Sequence, residues 1–211
     1  RAWAVDVIAA EFTYDRQGRY TLDLRVQNAH SKHSPQVDAF QSLLPAAFEQ
    51  GGPLASAQRF FNRYRPFGTI EQLTLNAAGS LKQLGDSEVT GTVTCGDVSI
   101  CDRKFPYAIS GLAGDVNFTQ SSVTLNGLAG RHGDVDLVIR GWTRGFGPER
   151  QYQYSVTSDN MVLDEDLYIA LQPGQKQLWN SFDPTGAIAV DYQLVRTSPL
   201  DKRQSISVDL K

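Results

Sequence analysis

Apolar residues recur at every second position along most of the chain, most clearly at 105–141, FPYAISGLAGDVNFTQSSVTLNGLAGRHGDVDLVIRG. Successive strand side chains point to opposite sides of a sheet. The three runs therefore put Val116 and Phe118 on one strand face, Val123 and Leu125 on the next, and Val135, Leu137 and Ile139 on the third. The opposite positions are Asp115, Asn117, Thr124, Asn126, Asp134, Asp136 and Arg140. This pattern predicts a β-meander with one apolar and one polar face, ending at Gly141, where the chain is expected to fold back.

The same period predicts strands at 2–9 and 11–14, then at 20–26, where Tyr20, Leu22, Leu24 and Val26 oppose Thr21, Asp23, Arg25 and Gln27. Asp15-Arg16-Gln17-Gly18 joins them as a hairpin turn. Strand signals at Ile70, Leu73, Leu75, Val89 and Val93 follow, with turns expected at Gly79 and at Gly85-Asp86. Residues 142–150 read as a turn-rich connection. Later one-faced strands carry Tyr152, Tyr154 and Val156, then Ile188, Val190, Tyr192 and Leu194, then Ile206, Val208 and Leu210.

Two stretches change period from 2 to 3.6. Ser34-Pro35 is a helix start, with Val37, Phe40, Leu43, Leu44, Ala47 and Phe48 at helical spacing. A second helix from Pro53 carries Leu54, Ala57, Phe60, Phe61 and Tyr64. Residues 34–65 thus form a helical insertion, expected as a cap or lid. Further on, MVLDEDLYIAL (161–171) predicts a short helix capped by Asp164, and 173–182 a helix with Leu178, Trp179 and Phe182 on one side. The two helix-to-strand junctions share Asn62/Asn180, Pro66/Pro184, Gly68/Gly186 and Ile70/Ile188 at one offset. Either an internal repeat or recurring turn chemistry accounts for this.

The fold class that follows is mainly β: a curved antiparallel sheet, as a groove or an open sandwich, with a few short amphipathic helices packed as cap or lid. The 211 residues suffice for a single β-rich domain, and the chain, which starts at Arg1, is read as a piece of a longer protein. A net charge of −3 without a basic footprint argues against nucleic acid. No run reaches the roughly 20 apolar residues of a spanning helix. Cys95 and Cys101 lie six positions apart, which leaves open a disulfide of an exported protein or two free thiols.

Candidate chemistry is sparse. His30 and His33 have only Asp38 nearby, too few ligands for a metal, and read as a solvated loop. His132 reads as a hairpin residue. Asp164, Glu165 and Asp166 are adjacent, so their side chains diverge, and helix capping explains them better than calcium binding. No nucleophile elbow, zinc-protease motif or phosphate loop occurs, so neither an enzyme nor a cofactor is expected. The aromatics Tyr152, Tyr154, Tyr192, Trp179, Phe60, Phe61 and Tyr64 suit a core better than a sugar platform.

The succession of a proline-led strand, a Ser-Gly-Leu-x-Gly step, an alternating strand, a short polar turn, a second strand with Leu-x-Gly, and G-D-V-x-L-x-I-x-G resembles the repeating β-unit of AsmA-like and TamB-type bacterial envelope proteins. The stretch VLDEDLYIALQPGQKQLWNSFDPTGAIAVDYQLV is similar to the segment that follows such units. The resemblance spans 68–195 and rests on glycine and apolar pattern, while the helical 28–65 departs from it. It implies a periplasmic segment of a protein anchored in the inner membrane through a part outside this chain, related to bridge-like lipid-transfer proteins. Acyl chains of phospholipid or another lipid would lie along an apolar groove, other envelope proteins being possible partners.

The lipid-binding wall would comprise Val116, Phe118, Val123, Leu125, Val135, Leu137, Ile139, Tyr154, Val156, Ile188, Val190, Tyr192 and Leu194. Two readings compete with it: a structural β-sandwich module sealed by the helices, and a carbohydrate-binding module using the tyrosines.

Overall fold

The computed structural model describes residues 4, 6–31, 60, 62–145, 148–198 and 205–210, with the backbone alone at 84, 85 and 205–210. Ten strands form one antiparallel sheet in strict chain order. They are β1 (Val7–Tyr14), β2 (Arg19–Ser31), β3 (Phe67–Ser80), β4 (Gln83–Asp102), β5 (Phe105–Thr119), β6 (Ser122–His132), β7 (Val135–Arg144), β8 (Gln151–Val162), β9 (Ala187–Arg196) and β10 (Ser205–Leu210). Two helices, α1 (Glu165–Ala170) and α2 (Pro173–Phe182), lie between β8 and β9. Residues 60 and 62–64 are helical, and the other predicted helical positions of 34–59 lie outside the described residues.

Register carries the apolar stripe from strand to strand. Ile8 faces Val26, Val26 faces Leu73, and Leu73 faces Val93. Val93 faces Val116, Val116 faces Leu125, and Ile139 faces Val156, which faces Tyr192. Cross-strand partners share a face, so these pairs place the alternating apolar residues on one side of the whole sheet. The other side carries polar pairs such as Thr92 with Asn117 and Thr94 with Asp115. Among the described residues there is one sheet and no second one facing it.

The sheet is bent. Bulges interrupt β3, β4, β5, β6 and β8 near the middle of their ladders, between Ile70 and Gln72, between Cys95 and Val98, and between Leu125 and Leu128 among others. Each adds a residue on one strand and deepens the local bend. Arg63 and Tyr64 register the result: Arg63 pairs with Asp102 at the end of β4, while Tyr64 also feels the Tyr154 and Tyr192 phenols of β8 and β9. In a flat sheet β4 and β9 would stand about 24 Å apart, at about 4.8 Å per strand. Curling the apolar face inward brings both within reach of one short segment.

Several local expectations are corrected. The β3–β4 turn falls at 81–82, and Gly85 and Asp86 belong to β4. Trp142, Thr143 and Arg144 continue β7, so Gly141 lies inside a strand. At φ +151° it is a site where a Cβ would strike Gln153 O and the Tyr154 ring. The glycine thus lets an aromatic ring lie flat across the strand rather than turning the chain. The repeated junction does recur as backbone: Arg65 and Asp183 are left-handed (φ 47° and 46°), each precedes a proline, and Gly68 and Gly186 both have positive φ.

Candidate functional site

The long connections both leave the same end of the sheet: β2 to β3 through 60–64, and β8 to β9 through α1 and α2. Asp164, Oδ1 accepting from the Leu167 amide at 2.9 Å, starts α1 as the helix cap expected of it. Leu167 and Ala170 of α1 then pack on Tyr107, Val135, Leu137 and Met161. His132 stacks on the Tyr107 ring at 3.7 Å, donates from Nδ1 to Ala108 O at 2.7 Å, and turns Nε2 toward Asp166 at 3.4 Å. His132 is thus a docking residue for α1 as well as the last residue before a hairpin turn.

Both helical connections meet the β4–β5 hairpin. Arg63 forms a forked ion pair with Asp102, and the Arg103 amide donates to Arg63 O at 3.0 Å. From the other side, the Gln172 side chain at the start of α2 donates to Lys104 O at 2.7 Å. One end of the apolar face is therefore closed by helical segments. Burial pushes the Tyr107 phenol up to about 12, helped by the charges of Asp164 and Asp166.

The thirteen residues of the expected wall all fall on the apolar face, but they divide in two. Val135 and Leu137 are each 2 % exposed beneath α1, so they are core and offer no wall to a ligand. Ile188, Val190 and Val156 pack around that cluster. Val116, Leu125 and Ile139 border a second buried cluster of Val98, Leu112 and Leu128. Phe118, Val123 and Leu194 remain half-buried toward the opposite end, and Tyr154 and Tyr192, also half-buried, lie within electrostatic reach of Tyr64 in the helical residues 62–64. The Phe118 ring lies over Gly91 as Tyr154 lies over Gly141, which smooths this part of the face.

The wall also extends through strands omitted from the expected list. Tyr20, Leu22, Leu24 and Val26 of β2, Leu73 and Leu75 of β3, and Ile8, Phe12 and Tyr14 of β1 share the face. Phe12 is 53 % exposed and Ile8 65 %. The alternation at 20–26 was the signal that could have added them.

Cys95 and Cys101 are free thiols, so the disulfide left open by the sequence is not made. Six residues along one extended strand span about 20 Å, far beyond disulfide reach. Burial lifts the Cys95 thiol to about 11, leaving it protonated at neutral pH and a poor nucleophile. His30 lies on β2 and contacts Thr69 Oγ1 at 3.1 Å, whereas His33 and Asp38 lie outside the described residues. Among the described residues no group of three metal-ligating side chains occurs, and no helix is long and apolar enough to cross a membrane. Tyr168 and Trp179 edge a shallow cleft of about 450 Å³ between α1 and α2.

The chain matches no protein-family model, no curated protein and no solved structure.

Proposed function

We propose that this chain is a non-enzymatic lipid-binding segment of an AsmA-like envelope protein, working in the periplasm and carrying acyl chains along its concave apolar face. The observation that carries the reading is an apolar face running from strand to strand across a single curved sheet, over which the described helical residues gather toward one end. Apolar surface left in water costs about 25 cal/mol per Å², and large contiguous patches mark binding surfaces. An acyl chain lying between the β2 and β9 sides of the curl would remove part of that surface from water without any bond being made or broken.

The test is native mass spectrometry and solvent extraction of the purified chain. Co-purifying phospholipid that is displaced by added acyl lipid, and lost in a Leu24→Asp/Leu194→Asp variant with unchanged far-ultraviolet circular dichroism, is the expected outcome. A wild-type chain that neither carries nor takes up lipid would overturn it.

A further inference from the structure

We infer that β1 is a dimerisation edge, pairing antiparallel with β1 of a second copy of this chain about a two-fold axis at Ala10. No ligand is involved, so this pairing is independent of the lipid reading above. β1 is the first strand of the sheet, and among the described residues nothing pairs with its outer side. Ahead of it, Ala4 exchanges two backbone hydrogen bonds with His30, at 2.7 and 2.8 Å. The chain therefore enters β1 along the line of β2 rather than across the outer edge. A free strand edge offers a row of N–H and C=O groups to any chain that matches it, and folded proteins blunt such edges with proline, lysine, a bulge or a short strand. β1 has none of these. It runs eight residues, VIAAEFTY, in unbroken register with β2 and carries a single charge, Glu11. All eight residues are exposed, among them the large apolar Val7, Ile8, Phe12 and Tyr14.

β1 selects a second copy because it complements itself. Successive side chains alternate between faces, so the apolar faces of two copies stay on one side only if even-numbered positions meet even-numbered ones. Centred on Ala10, the pairing sets Ile8 against the partner's Phe12 and Phe12 against the partner's Ile8. Aromatic and β-branched side chains are favourable cross-strand partners. Ala10 meets the partner's Ala10 at the axis, and Glu11 meets the partner's Ala9. Moving the register to set Ala10 against the partner's Phe12 puts the two Glu11 carboxylates directly opposite one another, where like charges repel, and moving it the other way shortens the overlap. The Phe12 ring already lies 6.3 Å from the Tyr14 ring and 6.0 Å from the Tyr20 ring, with 53 % of the residue exposed. The partner's Ile8 extends that cluster and covers it. A two-fold axis between antiparallel strands stands normal to the sheet, so the two concave apolar faces open the same way. Pairing of β1 with the partner's β10 would instead be head-to-tail and propagate without closing, whereas the two-fold pairing uses both β1 edges in one dimer.

The test is analytical ultracentrifugation of the delipidated 211-residue chain from roughly 1 to 100 μM, the range of modest affinities. The expected result is a concentration-dependent shift from 23.3 kDa to twice that mass. Ala10→Lys and Ala10→Glu each set like charges face to face at the axis, and each should raise the dissociation constant by roughly fivefold, the scale of one unfavourable cross-strand pair. An equimolar mixture of the two variants should restore the dimer, because opposite charges then meet at position 10. Ala10 is exposed, so far-ultraviolet circular dichroism should not change. Should either variant fold poorly, amide exchange in the wild type gives a second readout: it should slow along β1 as concentration rises and stay constant in β3. A chain that remains monomeric at every concentration, with β1 exchange unchanged, would overturn the pairing. So would a dimer that neither substitution weakens, whose interface must lie elsewhere. An open series of oligomers, weakened by both substitutions but not restored by mixing, would replace the two-fold pairing with head-to-tail contact between β1 and β10. Lipid uptake by the wild type is measured separately, so either reading can fail without the other.

Discussion

Leu137 and Leu194 sit on the same face of one sheet, two strands apart, and have different fates. Leu137 is 2 % exposed under α1, packed with Tyr107, Val135, Met161 and Ala170. Leu194 is half-buried near the end of β9, opposite Tyr154 and with no described element above it. The strand pattern at the two positions is the same alternation. What differs is the connection at each end of the sheet: long and helical at one, mostly tight turns at the other. An apolar face becomes core where a connection folds back on it, and among the described residues it stays half-buried where none does.

The largest contrast should come from truncation. Leu137→Ala is expected to lower unfolding free energy by about 3 kcal/mol, since nothing can refill the space beneath α1, whereas Leu194→Ala should cost about 1 kcal/mol. Urea denaturation measures both, and equal losses would show that the open end is covered as well as the helical end.

Alkaline unfolding tests the same boundary at an intermediate scale. The Tyr107 phenol is raised to about 12, so its contribution is present below the ordinary phenol value near 10 and is lost as pH climbs through the folded value. The loss between roughly pH 10 and pH 12 should be on the order of 2 kcal/mol. Cys95, raised to about 11, begins the same decline about a unit earlier. Tyr107→Phe should flatten the upper part of the profile and leave the Cys95 part, as followed by the denaturation midpoint against pH. An unchanged slope in the variant would place the alkaline sensitivity outside the sealed end.

The smallest effect is at the cap. Removing the Asp164 carboxylate, which accepts from the Leu167 amide, should cost about 1 kcal/mol. Hydrogen exchange should then rise in α1 and at Tyr107 before it rises in β2 or β3. Uniform exchange would mean that α1 does not open separately from the sheet.

The strands at 20–26, 105–141, 152–156 and 188–194 were legible because an alternating run has only one way to hide its apolar side. The cap at Asp164 was legible for the same local reason, an acceptor three residues before an unpaired amide. The turns at 85–86 and 141 were misread because glycine serves two purposes. It bends a chain, and it also clears room for a neighbour, as Gly141 does for the Tyr154 ring. Sequence alone cannot tell which, since the neighbour lies on the next strand. His132 shows the same limit: its partners Ala108 and Asp166 come from β5 and α1, 24 residues before it and 34 after.

The sequence by itself determined that this protein has an apolar side and a polar side along almost every strand, because side-chain period is set by backbone geometry. Tertiary structure decided how that side is used. Bulges aligned across neighbouring strands curl it inward, and helical connections at one end seal Val135 and Leu137 while, among the described residues, Phe118, Tyr154 and Leu194 stay half-buried. Both outcomes depend on contacts between segments far apart in the chain, such as Arg63 with Asp102 and Gln172 with Lys104. No local pattern can encode those contacts.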